Sequence, residues 1–188
     1  MSLDLISVTT IPTPNPDALM FRVDEALVPT GTYEYHLGED MAQAPLAERL
    51  FQIDGVNLVL IAPRFVTVGK EPGADWPNIV PLARNVIRAL LADGEMAVYD
   101  DAITAGGGSS APLTEVEERI VQLIDDEIRP AVAGDGGDVV YAGFVDGIVQ
   151  LQLVGSCGSC PSSLTTLKQG IERMMMEEIP EVRGVVQI

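Results

Sequence analysis

The chain has 188 residues, 47% of them apolar, a net charge of −17 and a pI near 4.1. That length and apolar share fit one large or two small packed domains rather than a disordered chain. The acidity argues against binding nucleic acid or an anionic membrane surface, and no run approaches the roughly 18–20 apolar residues of a membrane span.

From the N-terminus, Met1-Ser2-Leu3-Asp4 matches neither a basic–apolar signal peptide nor an Arg-rich transit sequence. Two cysteines do not make a secreted disulfide framework. A reducing cytoplasm is therefore the expected compartment. Ile6–Ile11 and Leu19–Val23 are strand candidates, separated by the proline-rich Thr13-Pro14-Asn15-Pro16. Leu46, Leu50 and Ile53 lie at helical spacing and predict a short helix over Pro45–Ile53. Asn57–Ile61 and Arg64–Gly69 are short strands rich in Val, Leu, Ile and Phe, joined tightly at Ala62-Pro63. Trp76-Pro77-Asn78 opens a helix to about Leu91, with Ile79, Leu82, Val86 and Leu90 as its apolar positions. No metal-ligand cluster shows in this half, and His36, the only histidine, is expected to be solvated or structural.

The Gly/Ser-rich stretch 105–112 interrupts the periodic patterns and predicts a flexible linker. Both sides of it are acidic, so neither half reads as a charge-reading module. Beyond it, Thr114 with Glu117 predicts a capping box, and Val116, Ile120, Leu123 and Ile124 make a helical stripe to about Arg129-Pro130. Gly134–Asp138 reads as a turn. Val139–Val145 and Ile148–Val154 alternate as strands about a hairpin at Asp146-Gly147. Ser162 to about Glu178 is the next helix, with Leu164, Leu167, Ile171 and Met174/Met175 on one face, and Val182–Ile188 the last strand. The whole is an α/β (α+β) chain of two small mixed domains, the second in α-β-β-α-β order.

The two cysteines, Cys157 and Cys160, form one C-x-x-C between a strand end and a helix start. Free N–H groups and the positive end of the helix dipole favour anionic sulfur there. A mononuclear zinc or an iron–sulfur cluster normally takes four protein ligands. One chain supplies half a site, and a second copy of the chain is the simplest completion. Three readings stay open on spacing alone: a structural pair, a dithiol redox pair, and a metal centre, iron–sulfur or zinc, shared across a dimer. A thioredoxin-type domain needs more sheet after its C-x-x-C than the helix and short strand that follow Cys160.

Gly134-Asp135-Gly136-Gly137-Asp138-Val139, Gly155-Ser156-Cys157-Gly158-Ser159-Cys160-Pro161-Ser162-Ser163 and Glu178-Ile179-Pro180 together resemble the NifU C-terminal domain. Thr13-Pro14-Asn15-Pro16, Leu46–Phe51, Ile53-Asp54-Gly55-Val56, Phe65-Val66-Thr67-Val68 and Asp75-Trp76 are similar to the N-terminal domain of Nfu-type proteins. The resemblance implies an Nfu N-terminal-like domain over 1–101, a linker over 102–112 and a NifU-like cluster-binding domain over 113–188. It implies a non-enzymatic iron–sulfur cluster scaffold or carrier with no catalytic residue. Cys157 and Cys160 are then the ligands of a cluster, [4Fe–4S] in that family, held between the subunits of a homodimer. Its partners would be upstream cluster donors and apo iron–sulfur target proteins, with no nucleic acid and no membrane.

Overall fold

The computed structural model describes residues 6–29, 31–99, 114–155 and 161–188, with side chains in the last segment described from residue 168 onward. The chain divides into two compact units, Met1–Gly106 and Gly107–Ile188. The expected linker at 102–112, and residues 156–160 with Cys157 and Cys160, lie outside the described residues. Helices and strands are mixed in both units, as expected of an α+β chain.

The first unit is built from β1 (Val8–Pro12), β2 (Ala18–Val23), β3 (Tyr33–His36), α1 (Pro45–Phe51), β4 (Val56–Ala62), β5 (Phe65–Lys70) and α2 (Trp76–Asp93). Its five strands form an antiparallel sheet in the order β1-β2-β5-β4-β3. Val59, Ile61, Val66 and Val68 of the central strands join Leu46 and Leu50 of α1 and Ile79, Ile87 and Leu90 of α2 in one core. Strand β3 is not evident from sequence, because Tyr33-Glu34-Tyr35-His36 has no apolar run. Pairing with β4, Tyr33 opposite Ile61 and Tyr35 opposite Val59, makes it an edge strand. The apolar stripe of α2 is also turned from the expected one. Leu82 is 50% exposed, whereas Ile79, Ala83, Ile87 and Leu90 are buried. Spacings of three and four both satisfy helical periodicity, and contact with the sheet selects between them. Gly94 (φ 67°) closes α2, its N–H donating to the Leu91 carbonyl while the Glu95 N–H donates to that of Leu90. That is a Schellman closure, which favours glycine at the left-handed position.

The second unit begins with α3 (Glu115–Leu123), which runs through a π turn (Ile124–Ile128) into α4 (Arg129–Gly134). β6 (Gly137–Val145), β7 (Ile148–Gly155), α5 (Pro161–Glu178) and β8 (Gly184–Gln187) follow. The expected stop at Arg129-Pro130 is therefore passed. A proline ring crowds the carbonyl four residues before it. The π turn, whose ladder bond joins the Arg129 N–H to the Ile124 carbonyl, widens the helix just ahead of Pro130. It has a second effect. Ile120, Ile124, Ile128 and Val132 are all buried at a strict spacing of four. Such a row drifts about 40° per step around an α-helix, and the wider turn cancels part of that drift.

Asp146 (φ 52°) and Gly147 (φ 83°) turn the β6–β7 hairpin with both central residues left-handed, as a type I′ turn requires. β7 lies in the middle of the three-stranded sheet, antiparallel to β6 and parallel to β8. A parallel neighbour needs a crossover connection, and α5 is that crossover. Ile171 and Met175 of α5 are buried against Val139, Val149, Leu151 and Leu153, with Met174 partly buried beside them. Leu164 and Leu167, also expected on that face, lie outside the described side chains.

Candidate metal centre

Cys157 and Cys160 lie outside the described residues, so what can be built from the structure is the frame that holds residues 156–160 at both ends. β7 ends at the buried Gly155 (φ 78°), opposite Gly137 at the start of β6. α5 starts at Pro161 and runs for 18 residues. The segment between them thus joins the carboxyl end of the central strand to the N-terminus of the crossover helix. In open α/β sheets ligands favour that position, because strand ends and helix N–H groups converge there. For a pair of thiols the helix terminus favours the anionic, metal-binding form.

The opposite side of the frame is the run expected to be a turn. Only Asp135 and Gly136 (φ 76°) turn the chain, and Gly137 and Asp138 already belong to β6. Asp138 faces Val154 in register and is the one charged residue among the buried described residues. A buried carboxylate is costly unless paired. Its Oδ1 accepts from the Val139 N–H at 2.7 Å and from Arg129 Nε at 3.0 Å. The same guanidinium donates through Nη1 to Asp125 Oδ1 at 2.6 Å and through Nη2 to the Val139 carbonyl at 3.3 Å. Sequence distance conceals Arg129: counted along the chain, Lys168 is the cation nearest the cysteines. Folding brings Arg129 to the β6 end of the frame, where its charge is engaged by two carboxylates. The available signal was an Arg–Asp pair spanning the Gly-rich turn.

A second tie fixes α3 to β6. The Thr114 side chain accepts from the Glu117 N–H at 3.3 Å, while Glu117 Oε2 accepts from the Thr114 N–H at 2.9 Å and from its hydroxyl at 2.7 Å. Glu117 Oε1 also accepts from the Tyr141 hydroxyl at 2.9 Å. These bonds, the Thr114 backbone donor foremost, hold the Glu117 carboxyl below its usual range. Burial, and then the bond to Glu117, push the Tyr141 phenol well above its ordinary value.

In the first unit the motif segments that carry the Nfu resemblance meet in space. Thr13 Oγ1 donates to the Asn15 and Ala18 carbonyls, closing the β1–β2 turn. Trp76 Nε1 donates to the Pro16 carbonyl at 3.0 Å, and Lys70 bonds Asp17 at 2.6 Å with its ammonium 5.8 Å from the Trp76 ring centre. His36 lies on edge strand β3, exposed and 3.0 Å from Glu34 Oε1. Among the described residues no group of three or more His, Cys, Asp or Glu could hold a metal ion. No helix among them is long and apolar enough to cross a membrane.

The family model for the NifU-like domain matches residues 120–186, and that for the N-terminal part of the scaffold protein Nfu/NifU matches residues 8–94. The chain is 43% identical over 182 residues to the human "NFU1 iron-sulfur cluster scaffold homolog, mitochondrial", covering 96% of this chain and 71% of that protein. The chain belongs to the Nfu/NifU scaffold family. The protein of the same name from Drosophila erecta is 39% identical over 182 residues, and there the chain spans 64% of the relative's length. A solved NifU-like protein from Saccharomyces cerevisiae aligns with a TM-score of 0.47 at 24% identity, covering 50% of this chain and 86% of that one. Family membership bears out the resemblance read from the motif residues. It also corrects the compartment. Cytoplasm was expected, whereas both of these relatives are named as mitochondrial. The inference failed for a physical reason: free thiols require a reducing compartment without specifying which one. Targeting signals are read by receptors and leave no imprint on a folded domain's composition.

Proposed function

We propose that this protein is a non-enzymatic scaffold and carrier that holds an iron–sulfur cluster through Cys157 and Cys160 and passes it to apo-proteins. The observation that carries the reading is the placement of the C-x-x-C between the end of β7 and the start of α5, in a unit that matches the NifU-like domain. Two thiolates per chain are half of a four-thiolate set, so a homodimer would complete the site with the cluster, a [4Fe–4S] unit, at the seam. Residues 113–188 would form the cluster-binding domain, residues 1–101 a domain for recognising donors or targets, and residues 102–112 the linker between them.

The cluster is cargo here, and the chemistry asked of the protein is ligand exchange. Each leaving protein thiolate is replaced at iron by an incoming target thiolate, so charge and oxidation state need not change. Gly155 and Pro161 fix where the cysteine segment leaves the sheet and enters the helix. The helix N-terminus favours thiolate over thiol at the moment a ligand is released. A site at a subunit seam can release its cargo when the subunits part.

Anaerobic reconstitution with iron and sulfide, followed by metal and sulfide counts on a size-exclusion peak, tests the reading. About four iron and four sulfide per dimer-sized particle is the expected result. A colourless monomer without iron would reject it, and tight zinc in protein purified without oxygen would replace the cluster with a zinc-bridged module.

A further inference from the structure

We propose that Arg129 is a positioning residue for the cysteine segment, acting through Asp138 on the paired strand ends from which that segment leaves. The proposal rests on the reading of Cys157 and Cys160 as cargo ligands. Its geometry is independent of that reading. Gly137–Gly155 and Asp138–Val154 are the last two rungs of the β6–β7 hairpin before residue 156. At the end of a ladder, backbone pairs open most readily, because they have neighbours on one side only. Here the end rungs are strapped from outside the sheet. The Arg129 guanidinium bonds the Asp138 carboxylate, the Val139 carbonyl and, four residues back on the helical run, Asp125.

Three features make this arrangement more than a surface ion pair. The Asp138 side chain is only 5% exposed, against 42% for Arg129, so the carboxylate depends on its partners while the guanidinium reaches water. Arg129 uses Nε, Nη1 and Nη2 on three different acceptors, a fork that lysine cannot reproduce with one ammonium. The strap also starts at the π turn, whose extra width carries the helical run past Pro130 and sets Arg129 beside β6. The helical run and the end of the sheet are thereby held in one register at the point where the chain departs for its cysteines. Two such segments must present four sulfurs to one cluster, a demand on geometry that a frayed strand end would fail.

The test uses the full chain, cluster-free and then reconstituted. Arg129→Lys keeps the charge, and the pair Arg129→Met with Asp138→Leu removes both charges so that neither is left buried and alone. In cluster-free protein, amide exchange at residues 153–155 should accelerate about tenfold in Arg129→Lys while residues 149–151 stay within about threefold. Alkylation rates of Cys157 and Cys160 should move in the same variant. After reconstitution, Arg129→Lys should keep iron and sulfide content but change the visible circular dichroism of the cluster. The double variant should recover thermal stability without recovering slow exchange at 153–155. Unchanged exchange and thiol reactivity in Arg129→Lys would overturn the proposal, as would an acceleration spread evenly over β6 and β7, which marks a general stability effect. A wild-type protein that binds no cluster would defeat the cargo reading alone, since the exchange and alkylation arms need no cluster.

Discussion

Met174, Met175 and Met176 are consecutive on α5, and the structure predicts three different costs for truncating them. Met175 is 0% exposed and Met176 47% exposed, while Met174 is partly buried at the edge of the core. Met175→Ala deletes three heavy atoms beyond Cβ, about 2.4 kcal/mol of transfer free energy at about 0.8 kcal/mol per methylene-sized group. If about 50 Å³ of the vacated space fails to collapse, a cavity term of about 1.2 kcal/mol adds at about 24 cal/mol per Å³. The expected loss is therefore about 3.5 kcal/mol, close to a 400-fold change in the opening equilibrium of the second unit. Met176→Ala should stay within about 0.5 kcal/mol, as surface changes usually do, with Met174→Ala between them. The chain's single tryptophan, Trp76, belongs to the first unit, so its fluorescence is the wrong probe. Amide exchange of core residues in β6 and β7 reports on the second unit directly. Protection there should fall about 400-fold in Met175→Ala and return to within about tenfold of wild type in the volume-conserving Met175→Leu. Equal losses for Met175→Ala and Met176→Ala would refute the packing of α5 on the sheet.

Other outcomes follow from the same frame. Gly147→Ala places a side chain at φ 83°, with Cβ 2.9 Å from Arg183 Cδ and 3.2 Å from the Glu181 carbonyl oxygen. A loss of about 2 kcal/mol is expected from urea unfolding of the second unit, and a neutral result would contradict the type I′ turn. Glu117, depressed in the folded state, contributes stability that is complete above the ordinary value of 4.5 and disappears as pH falls through the folded value. Tyr141, raised, contributes stability that is complete below 10.0 and lost as pH climbs through its higher folded value. Glu117→Gln should flatten the acid limb of stability against pH and bring the Tyr141 titration down towards 10.0; unchanged curves would remove the Glu117–Tyr141 tie. Cys157→Ala and Cys160→Ala should each abolish cluster retention with an unaltered far-ultraviolet spectrum, and a full cluster in either variant would end the two-ligands-per-chain argument.

Features set by residues a few positions apart were legible in the sequence. The Thr114–Glu117 capping box, the Asp146-Gly147 turn and the alternation along β7 each rest on local spacing, and each appears where expected, whereas an irregularity between Tyr141 and Gly143 breaks the expected alternation of β6. So does the placement of a C-x-x-C between a strand and a helix, since β7 ends at Gly155 and α5 starts at Pro161. What required tertiary structure is what neighbours distant in sequence decide. β3 is a strand because β4 offers it an edge, and the buried face of α2 is chosen by the sheet beneath it. The helical run passes Pro130 because a π turn makes room and keeps four isoleucine and valine side chains facing one core. The buried Asp138 side chain meets Arg129, which reaches it from across the Gly-rich turn. Thr13–Pro16 and Trp76 look like unrelated motifs until Trp76 bonds the Pro16 carbonyl. Periodicity and capping are short-range effects that one segment encodes by itself. Strand neighbours, buried charges and the face a helix presents depend on contacts whose loop-closure entropy the whole fold must offset, so only the assembled chain specifies them.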